Sequence, residues 1–361
     1  MFIAALALLI AVIVVLQTAS TNEYALTPGD ATPVAPLVTI KGNVSTNAHP
    51  SKIMLVDVYL SSLSAWQWIT MHFQSHVQFV PGDELVEPGV STSELGAQGF
   101  LEMSDAKQAA EVAAFRVLGW KVPATPTGAV VTAVVNPSPA SRAKVAVGDK
   151  VVGVNGTAIH TGCQLVSYVH DLAPGTAVAL RVSKVKISAI GNLSYAAVTT
   201  VHVTTTSAPS ADATSACPGV SGPDKSFLGI GLENGNDYVL PATVNINTAN
   251  IGGPSAGLAM TLTLINKLSH GSLTGGHVVA ATGTMATNGQ VGAVGGVEEK
   301  AVAAHNAGAQ YFIVPNGDGD VDAARAANEP GLTILPVTSL NQALKDLRKL
   351  GGTKPVAITT P

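Results

Sequence analysis

The strongest hydrophobic pattern in the chain is its first segment. Residues 1–16 carry neither a charged nor a polar side chain. As a helix they rise about 24 Å, which is somewhat less than a hydrocarbon core of roughly 30 Å. We therefore predict a transmembrane anchor over residues 1–17, completed either through residue 20 or by residues upstream. A cleaved signal peptide is the alternative, but the segment has no basic leader and no clear cleavage site.

Farther along the chain, apolar positions follow helical spacing in some stretches and strand spacing in others. Helices are predicted for residues 105–118, 164–171, 258–265 and 297–307, and strands for residues 127–134 and 178–182. Gly119 and Gly308 follow two of these helices, as glycine often does at helix C-termini. The pattern predicts an α+β chain with several domains.

Two stretches are less periodic. Residues 206–225 are rich in serine, threonine, proline and alanine, and they predict a linker. Cys217 lies in this linker and Cys163 before it; an even number of cysteines permits a disulfide outside the cytoplasm, if geometry allows one. Residues 18–124 include Trp66 and Trp68 and are predicted to form a membrane-proximal scaffold beside the next domain.

Composition mainly excludes function classes. The 361 residues carry a formal net charge of −4, and 12% of them are charged. An acidic chain of this kind argues against nucleic-acid binding. His72 and His76 are four residues apart, but a zinc site needs a further ligand, and no clustered cysteine or histidine supplies one. We therefore expect neither a metal nor another cofactor.

The first candidate for chemistry is a lysine on an apolar helix face. In the helix that begins at Val297, residues three and four apart share a face, so Lys300 lies in line with Val297 and two alanines. The two glutamates before the lysine are expected to point elsewhere. Burial without a counter-charge favours the free amine, which can then act as a general base near neutral pH. A lysine that extends its ammonium to water is the alternative.

The second candidate is a serine at the start of an apolar helix. Ser255 lies in the glycine-rich turn GGPSAG at residues 252–257. Free N–H groups at such a helix start can stabilise an oxyanion, so the backbone of Gly253, Ser255 and Ala256 is a candidate oxyanion hole. An ordinary N-cap is the alternative. The turn also fits the elbow of α/β-hydrolases, but the acids available before His305 are only its near neighbours, which disfavours a Ser-His-Asp triad.

These segments resemble the proteolytic domain of the Lon-type serine proteases. The resemblance covers about residues 227–350 and rests on the turn at 252–257, on residues 281–308 and on the strand at 313–315. It implies an α/β proteolytic domain at residues 226–350, with Ser255 as nucleophile and Lys300 as general base. It also implies that Thr282 orients the lysine amine. The sequence contains no GxxxxGK[ST] motif, so we expect no nucleotide and no dependence on ATP.

A second resemblance, to bacterial PDZ domains, covers residues 125–205. It rests on the strand at 127–134, on Ser-Pro-Ala at 138–140 and on the Gly-Asp and Asn-Gly pairs at 148–149 and 155–156. PDZ domains bind an extended peptide at a sheet edge beside a helix. The resemblance implies that the peptide is bound by Thr127, Gly128, Ala129 and Val130. Another small β-rich domain is the alternative.

The order of these parts is similar to that of the membrane-anchored, PDZ-containing Lon-like proteases of bacteria. This resemblance implies a single-pass protein of the cell membrane with most of its chain extracytoplasmic. It implies an ATP-independent serine endopeptidase whose PDZ domain recruits or senses protein or peptide substrates, without a nucleic-acid partner. A homo-oligomer is compatible with this interpretation. A catalytically degenerate, membrane-anchored PDZ adaptor is the alternative function.

Overall fold

The computed structural model describes residues 2–47, 51–85, 92–188, 193–208, 217–220, 225–249, 251–317 and 319–358. The helices are α1 Phe2–Thr18, α2 Ala65–Met71, α3 Gly82–Leu85, α4 Thr92–Val117, α5 Pro139–Arg142, α6 Gly162–His170, α7 Gly257–Leu268, α8 Val297–Asn306, α9 Asp320–Ala326 and α10 Leu340–Lys349. Short 3₁₀ turns occupy Ala35–Leu37 and Pro254–Ala256.

The strands fall into two large sheets and several short pairs. They are β1 Ser20–Pro33, β2 Val38–Lys41, β3 Ile53–Ser64, β4 Gln78–Pro81, β5 Ala124–Val134, β6 Lys150–Val154, β7 Thr157–Ala158, β8 Ala177–Ile187, β9 Leu193–Thr204, β10 Thr206–Ser207, β11 Ser226–Phe227, β12 Ile230–Tyr238, β13 Thr243–Ile246, β14 Val279–Ala281, β15 Thr284–Met285, β16 Val291–Gly292, β17 Tyr311–Pro315 and β18 Thr333–Val337.

The N-terminal helix α1 has 17 residues and contains no acidic or basic side chain. Within the described residues, no helix is both long enough and apolar enough to cross a membrane. The transmembrane helix predicted over residues 1–17 is therefore not supported.

The first large sheet has the strand order β18-β17-β14-β3-β1-β4. Strands β3, β14, β17 and β18 are parallel, and β1 is antiparallel to both β3 and β4. Because Ile53 and Leu55 of β3 pair with Val279 and Ala281 of β14, the predicted scaffold and the predicted proteolytic domain share one sheet. Residues 18–124 therefore do not form a sheet separate from that of residues 226–350.

Helices cover both faces of this sheet. Successive strand residues point to opposite faces, so Ile53 and Leu55 pack in a core with α4, α7 and α10, whereas Met54 and Val56 pack with α8 and α9. Helix α7 is buried along almost its whole length, as its apolar sequence predicted. Helix α4 lies against α7, which places a helix of the predicted scaffold in the core of the predicted proteolytic domain.

The second large sheet has the order β12-β5-β6-β8-β9, with β7 beside β6. Its core contains mainly valine and leucine from the strands and from α6. Strand β12 follows the linker, yet it pairs with β5 from Ile230 to Tyr238. The second domain therefore extends beyond residue 205, and the first sheet is continued only after β12. The Val239 N–H donates to the Pro123 carbonyl at 3.0 Å, so both ends of this inserted domain lie together.

A disulfide joins Cys163 to Cys217, with their Cα atoms 5.4 Å apart. Cys163 lies in the first turn of α6, and Cys217 lies in the predicted linker. The two cysteines therefore lie close enough to form the disulfide that the sequence permits. This bond attaches the predicted linker to the second domain.

Candidate functional site

The candidate nucleophile Ser255 lies in the 3₁₀ turn Pro254–Ala256, directly before α7. Gly253 enters the turn with a φ of +82°, in the region that favours glycine. The N-cap of α7 is Ala256, and no side chain caps either the turn or the helix. The capping alternative for Ser255 is therefore wrong, and its half-buried hydroxyl is not used to start the helix.

Helix α4 supports this turn through a glycine that the sequence did not single out. The Gly253 N–H donates to the Gly99 carbonyl at 2.8 Å, and a Cβ added at Gly252 would lie 3.3 Å from the Gly99 carbonyl carbon. Because its N–H is engaged, Gly253 is not an available oxyanion donor, which corrects the prediction. The predicted donors that remain are the N–H groups of Ser255 and Ala256. Only the contact between two distant segments reveals the role of Gly99.

Thr282 lies next to the backbone of the candidate nucleophile. Its hydroxyl donates to the Ser255 carbonyl at 3.3 Å, and the Gly283 N–H donates to the same carbonyl at 2.9 Å. Thr282 is fully buried, and its own N–H donates to the Ile313 carbonyl at 2.9 Å. The sequence resemblance implied a contact with the lysine amine, whereas the observed hydrogen bond fixes the turn that carries Ser255.

Lys300 occupies the first turn of α8, with only 3% of its surface exposed. Burial lowers the pKa of its amine to about 8, although the charges of Asp320, Asp57 and Glu299 oppose this shift. Within the described part of the chain, no carboxylate lies within 4.0 Å of Nζ. The alternative of an ammonium that extends into water is therefore wrong.

The two glutamates before Lys300 differ from each other in their surroundings. Glu298 lies 3.2 Å from His76 Nδ1 and is partly exposed. Glu299 is buried, and loss of water raises its pKa. As expected, no salt bridge joins either glutamate to Lys300, but Glu299 is buried near enough for its charge to act on the lysine.

Ser255, Thr282 and Lys300 lie on segments that meet near the carboxyl ends of the central strands β3 and β14. Thr282 follows the last residue of β14, and the 3₁₀ turn of Ser255 contacts both β3 and β15. Helix α8 begins beside β3. A Cβ added at its N-cap Gly296 would lie only 2.9 Å from Cγ1 of Val58, which belongs to β3. Residues that are 45 positions apart in sequence, Ser255 and Lys300, thus belong to the same end of the sheet. Ligand sites of α/β sheets occur at the carboxyl ends of parallel strands.

The predicted peptide-binding residues of the PDZ resemblance lie inside a sheet. Gly128, Ala129 and Val130 of β5 pair with Gly235, Asn234 and Glu233 of β12, and β6 pairs with the other side of β5. The Thr127 hydroxyl accepts a hydrogen bond from Lys150. A peptide cannot add to a strand that already has two neighbours, so the assignment of residues 127–130 to peptide binding is wrong. Gly128 is needed for packing, since an added Cβ would lie 2.8 Å from the Val151 carbonyl oxygen.

Strand β12 is one of the two edges of this sheet, and a groove separates it from α6. The groove has a volume of about 110 Å³ and is lined by apolar side chains that include Leu165, Val169, Ile230 and Leu232. Gly229, with a φ of +81°, turns the chain into β12. Among the described residues, the N–H groups of Leu228 and Gly229 donate to no backbone carbonyl. The segment Phe-Leu-Gly-Ile at 227–230 is the signal in the sequence that could have located this groove.

A second cavity of about 320 Å³ lies between α4, β12 and the nucleophile turn. Pro254, which precedes Ser255, lines it together with Thr284 and Met285 of β15. Asp105 of α4 and Glu233 of β12 face each other there. Both residues are exposed overall, but loss of water around the facing carboxyl groups and the Glu233 charge raise the pKa of Asp105. The cavity therefore joins the second domain to the candidate active site.

Comparisons with known proteins agree with both resemblances. The profile of the Lon protease (S16) C-terminal proteolytic domain matches residues 247–349, and that of a PDZ domain matches residues 101–186. The Lon protease of Chloroflexus aggregans is 36% identical over 96 residues, which are 26% of this chain and 11% of that protein. Lon protease 1 of Bacillus subtilis is 32% identical over 94 residues, 26% of this chain and 12% of that protein.

These matches are partial. The chain spans about a tenth of the length of the curated Lon proteases that it matches. A solved PDZ domain of an SdrC-like protein from Listeria monocytogenes covers 29% of this chain and 87% of its own, at 17% identity and a TM-score of 0.22, which is too low to support an argument. From the two profiles and the Lon relatives we conclude that the chain contains a Lon C-terminal proteolytic domain and a PDZ domain.

Proposed function

We propose that the chain is an ATP-independent serine endopeptidase in which Ser255 is the nucleophile and Lys300 the general base. The observation that supports this most directly is the burial of Lys300, without an ion pair to a described residue, at the same end of the sheet as Ser255. An amine with a pKa of about 8 is partly neutral near pH 7, whereas an ordinary lysine is not. The similarity to Lon proteolytic domains independently supports serine peptidase activity.

The mechanism follows from the chemistry of these groups. The neutral amine of Lys300 takes the hydroxyl proton as Ser255 Oγ attacks the scissile carbonyl. The N–H groups of Ser255 and Ala256 stabilise the oxyanion that forms. The resulting ammonium then donates its proton to the leaving amine, and an ester with Ser255 remains. A water molecule, deprotonated by the same amine, hydrolyses this ester and restores the enzyme. Thr282 keeps the nucleophile turn in place through the Ser255 carbonyl.

The groove between β12 and α6 is our candidate for substrate recruitment. Its apolar lining suits an apolar side chain, and the N–H groups of Leu228 and Gly229 suit the carboxylate of a peptide C-terminus. The edge of β12 would pair with the peptide backbone. Protein or peptide C-termini are therefore the proposed ligands.

The cellular location is a further part of the proposal. The disulfide between Cys163 and Cys217 supports an oxidising, extracytoplasmic compartment. The apolar helix α1, which has no charged residue, supports attachment to a membrane. Extraction of the full chain tests the attachment: we expect release by detergent but not by high salt, and release by salt alone would contradict it.

A fluorophosphonate probe tests the catalytic assignment. We expect the probe to label Ser255 in the full chain without ATP, and peptide mapping identifies the modified residue. Ser255→Ala should abolish labelling and cleavage. Lys300→Arg should also abolish them, because guanidinium does not release its proton in proteins. Lys345→Ala, which changes an exposed lysine, is the matched control and should behave as the parent chain. An unlabelled but folded parent chain would favour the degenerate adaptor.

A further inference from the structure

One strand carries both the peptide groove and the cavity beside the candidate nucleophile. Ile230 and Leu232 of β12 line the groove, and four further residues of the same strand line the second cavity, namely Glu233, Asn234, Asn236 and Tyr238. On the described chain, β12 pairs with β5 on one side only, so it is an edge strand. A peptide that follows β12 therefore passes from the groove into the second cavity.

The direction of such a peptide is fixed by the two ends of the groove. At one end, the Lys225 N–H donates to the His170 carbonyl at the end of α6, beside Leu228 and Gly229. At the other end, the Gly162 N–H at the start of α6 donates to Asn234 Oδ1 at 2.9 Å. A peptide with its carboxylate at Leu228 and Gly229 must run antiparallel to β12. Its upstream residues then pass Asn234 and approach Pro254.

Helix α4 limits how far strand pairing can continue. Gln108 Nε2 donates to the Asn236 carbonyl at 3.4 Å, so this acceptor at the edge of β12 is already engaged. The peptide therefore leaves β12 near Asn236 and crosses the cavity toward Ser255. From Ile230 to Asn236 the strand rises about 20 Å, at roughly 3.4 Å per residue. The bond nearest to Ser255 then lies more than about six residues before the C-terminus.

The charges that line the second cavity indicate which peptide side chains it accepts. Glu102 and Asp105 of α4 and Glu233 of β12 line the cavity, and none of the described residues that line it is a lysine or an arginine. A basic side chain in the crossing segment is complementary to this lining, while an acidic one is repelled. The groove before it accepts an apolar last residue.

We propose that the enzyme cuts substrates at a fixed distance from an apolar C-terminus, which the PDZ groove holds while the segment upstream, preferably basic, crosses the second cavity to Ser255. This inference rests on the proposed function. It adds that the cut is positioned from the end of the substrate rather than from the sequence around the bond.

A series of peptides tests this distance. All end in the same apolar residue with a free carboxylate, and the cut falls within a uniform repeat so that sequence preference does not choose the bond. Inserting two or four residues just before the C-terminal segment should move the cut by two or four residues toward the C-terminus, as mass spectrometry measures. Amidating the C-terminus should lower kcat/KM at least tenfold, equivalent to about 1.4 kcal/mol.

Variants of α6 provide the matched control. Val166 is half-buried in the groove, whereas Ser167 is exposed outside it. Val166→Lys should weaken binding of a labelled peptide at least tenfold, measured by fluorescence anisotropy in the Ser255→Ala background, and Ser167→Lys should not. If the position of the cut does not change with the insertions, the fixed distance is wrong, but the proposed peptidase activity stands. Absence of any cut by the parent chain would instead refute the proposed function, and the fixed distance with it.

Discussion

At the scale of single residues, Lys300 shows how a helix position becomes a candidate base. The amine is buried on the face of α8 that packs against the sheet, where water that would stabilise the ammonium is largely excluded. Three carboxyl groups act in the opposite direction, namely those of Asp320, Asp57 and Glu299. Burial has the larger effect, and the pKa stays below that of a solvated lysine.

This balance predicts the pH dependence of cleavage. The neutral fraction of an amine rises with pH until the pH exceeds its pKa, which is about 8 for Lys300. We expect kcat/KM to rise about tenfold per pH unit below pH 8 and to level off above it. The measurement uses an uncharged peptide substrate across this range. A profile that is flat, or that falls as pH rises toward 8, would contradict Lys300 as base.

A second residue-scale prediction concerns the glycine that opens the peptide groove. Gly229 has a φ of +81°, and an added Cβ would collide with the Ser138 side chain. Gly175 in the same domain has a φ of +87° but nothing within 4 Å of an added Cβ. Gly175→Ala should therefore lower the free energy of unfolding only by the cost of placing an alanine at a positive φ, about 1–2 kcal/mol. Gly229→Ala should lower the free energy of unfolding by more than this, because the new Cβ also collides with Ser138. It should also abolish peptide binding.

Thermal unfolding measures the stability of the Gly175→Ala and Gly229→Ala variants, and fluorescence anisotropy measures their peptide binding. The cleavage of a short peptide that does not reach the groove is the internal control, and we expect it to be unchanged in both variants. Equal destabilisation by the two substitutions would show that the Ser138 contact does not restrict Gly229.

At the scale of elements, α6 and β12 form a groove although 59 residues, 171–229, separate them in sequence. The disulfide between Cys163 and Cys217 shortens this separation, because it bonds the start of α6 to the segment that leads into β11 and β12. A cross-link over 54 residues restricts the unfolded chain and so favours the folded domain.

We therefore predict that reduction of the Cys163–Cys217 disulfide destabilises the domain that contains the groove. A reducing agent, or the double substitution Cys163→Ser with Cys217→Ser, should lower the stability of the PDZ domain by about 2–4 kcal/mol. Peptide affinity should fall with it, while labelling of Ser255 by a fluorophosphonate should persist. Differential scanning calorimetry follows the first effect. If the reducing agent also weakened peptide binding by the double variant, the cause would lie outside the disulfide.

At the scale of the whole molecule, one domain is inserted into another. The first sheet takes β1, β3 and β4 from before the PDZ domain and β14, β17 and β18 from after it. The inserted segment begins and ends at one place, where the Val239 N–H meets the Pro123 carbonyl. The candidate active site also needs both parts, since α4 supports the turn of Ser255 through Gly99.

This arrangement predicts opposite results for two truncations. A chain of residues 226–350, the domain predicted from the sequence, should not fold, because it lacks three strands of its sheet and helix α4. A chain in which a short glycine linker replaces residues 124–238 should fold and should cleave short peptides. Circular dichroism and fluorophosphonate labelling distinguish these outcomes. A folded, reactive 226–350 chain would show that the shared sheet is dispensable.

The sequence by itself determined the local chemistry. The turn at 252–257, the helix that carries Lys300 and the helix ended by Gly119 are confirmed, because each depends on residues within a few positions of one another. Glycine at a positive φ, apolar spacing and helix ends are all expressed over such short distances. The proteolytic and PDZ resemblances depend on the same kind of local segment.

Only the tertiary structure decided which distant segments pair. Strand pairing is set by hydrogen bonds between segments that can be more than two hundred residues apart, as β3 and β14 are, and an apolar strand pattern does not specify its neighbour. For this reason the sequence predicts residues 18–124 as a separate scaffold, and it assigns peptide binding to β5, which has a neighbouring strand on each side. The engaged N–H of Gly253 and the burial of Glu299 were missed for the same reason: each depends on contacts with segments distant in sequence.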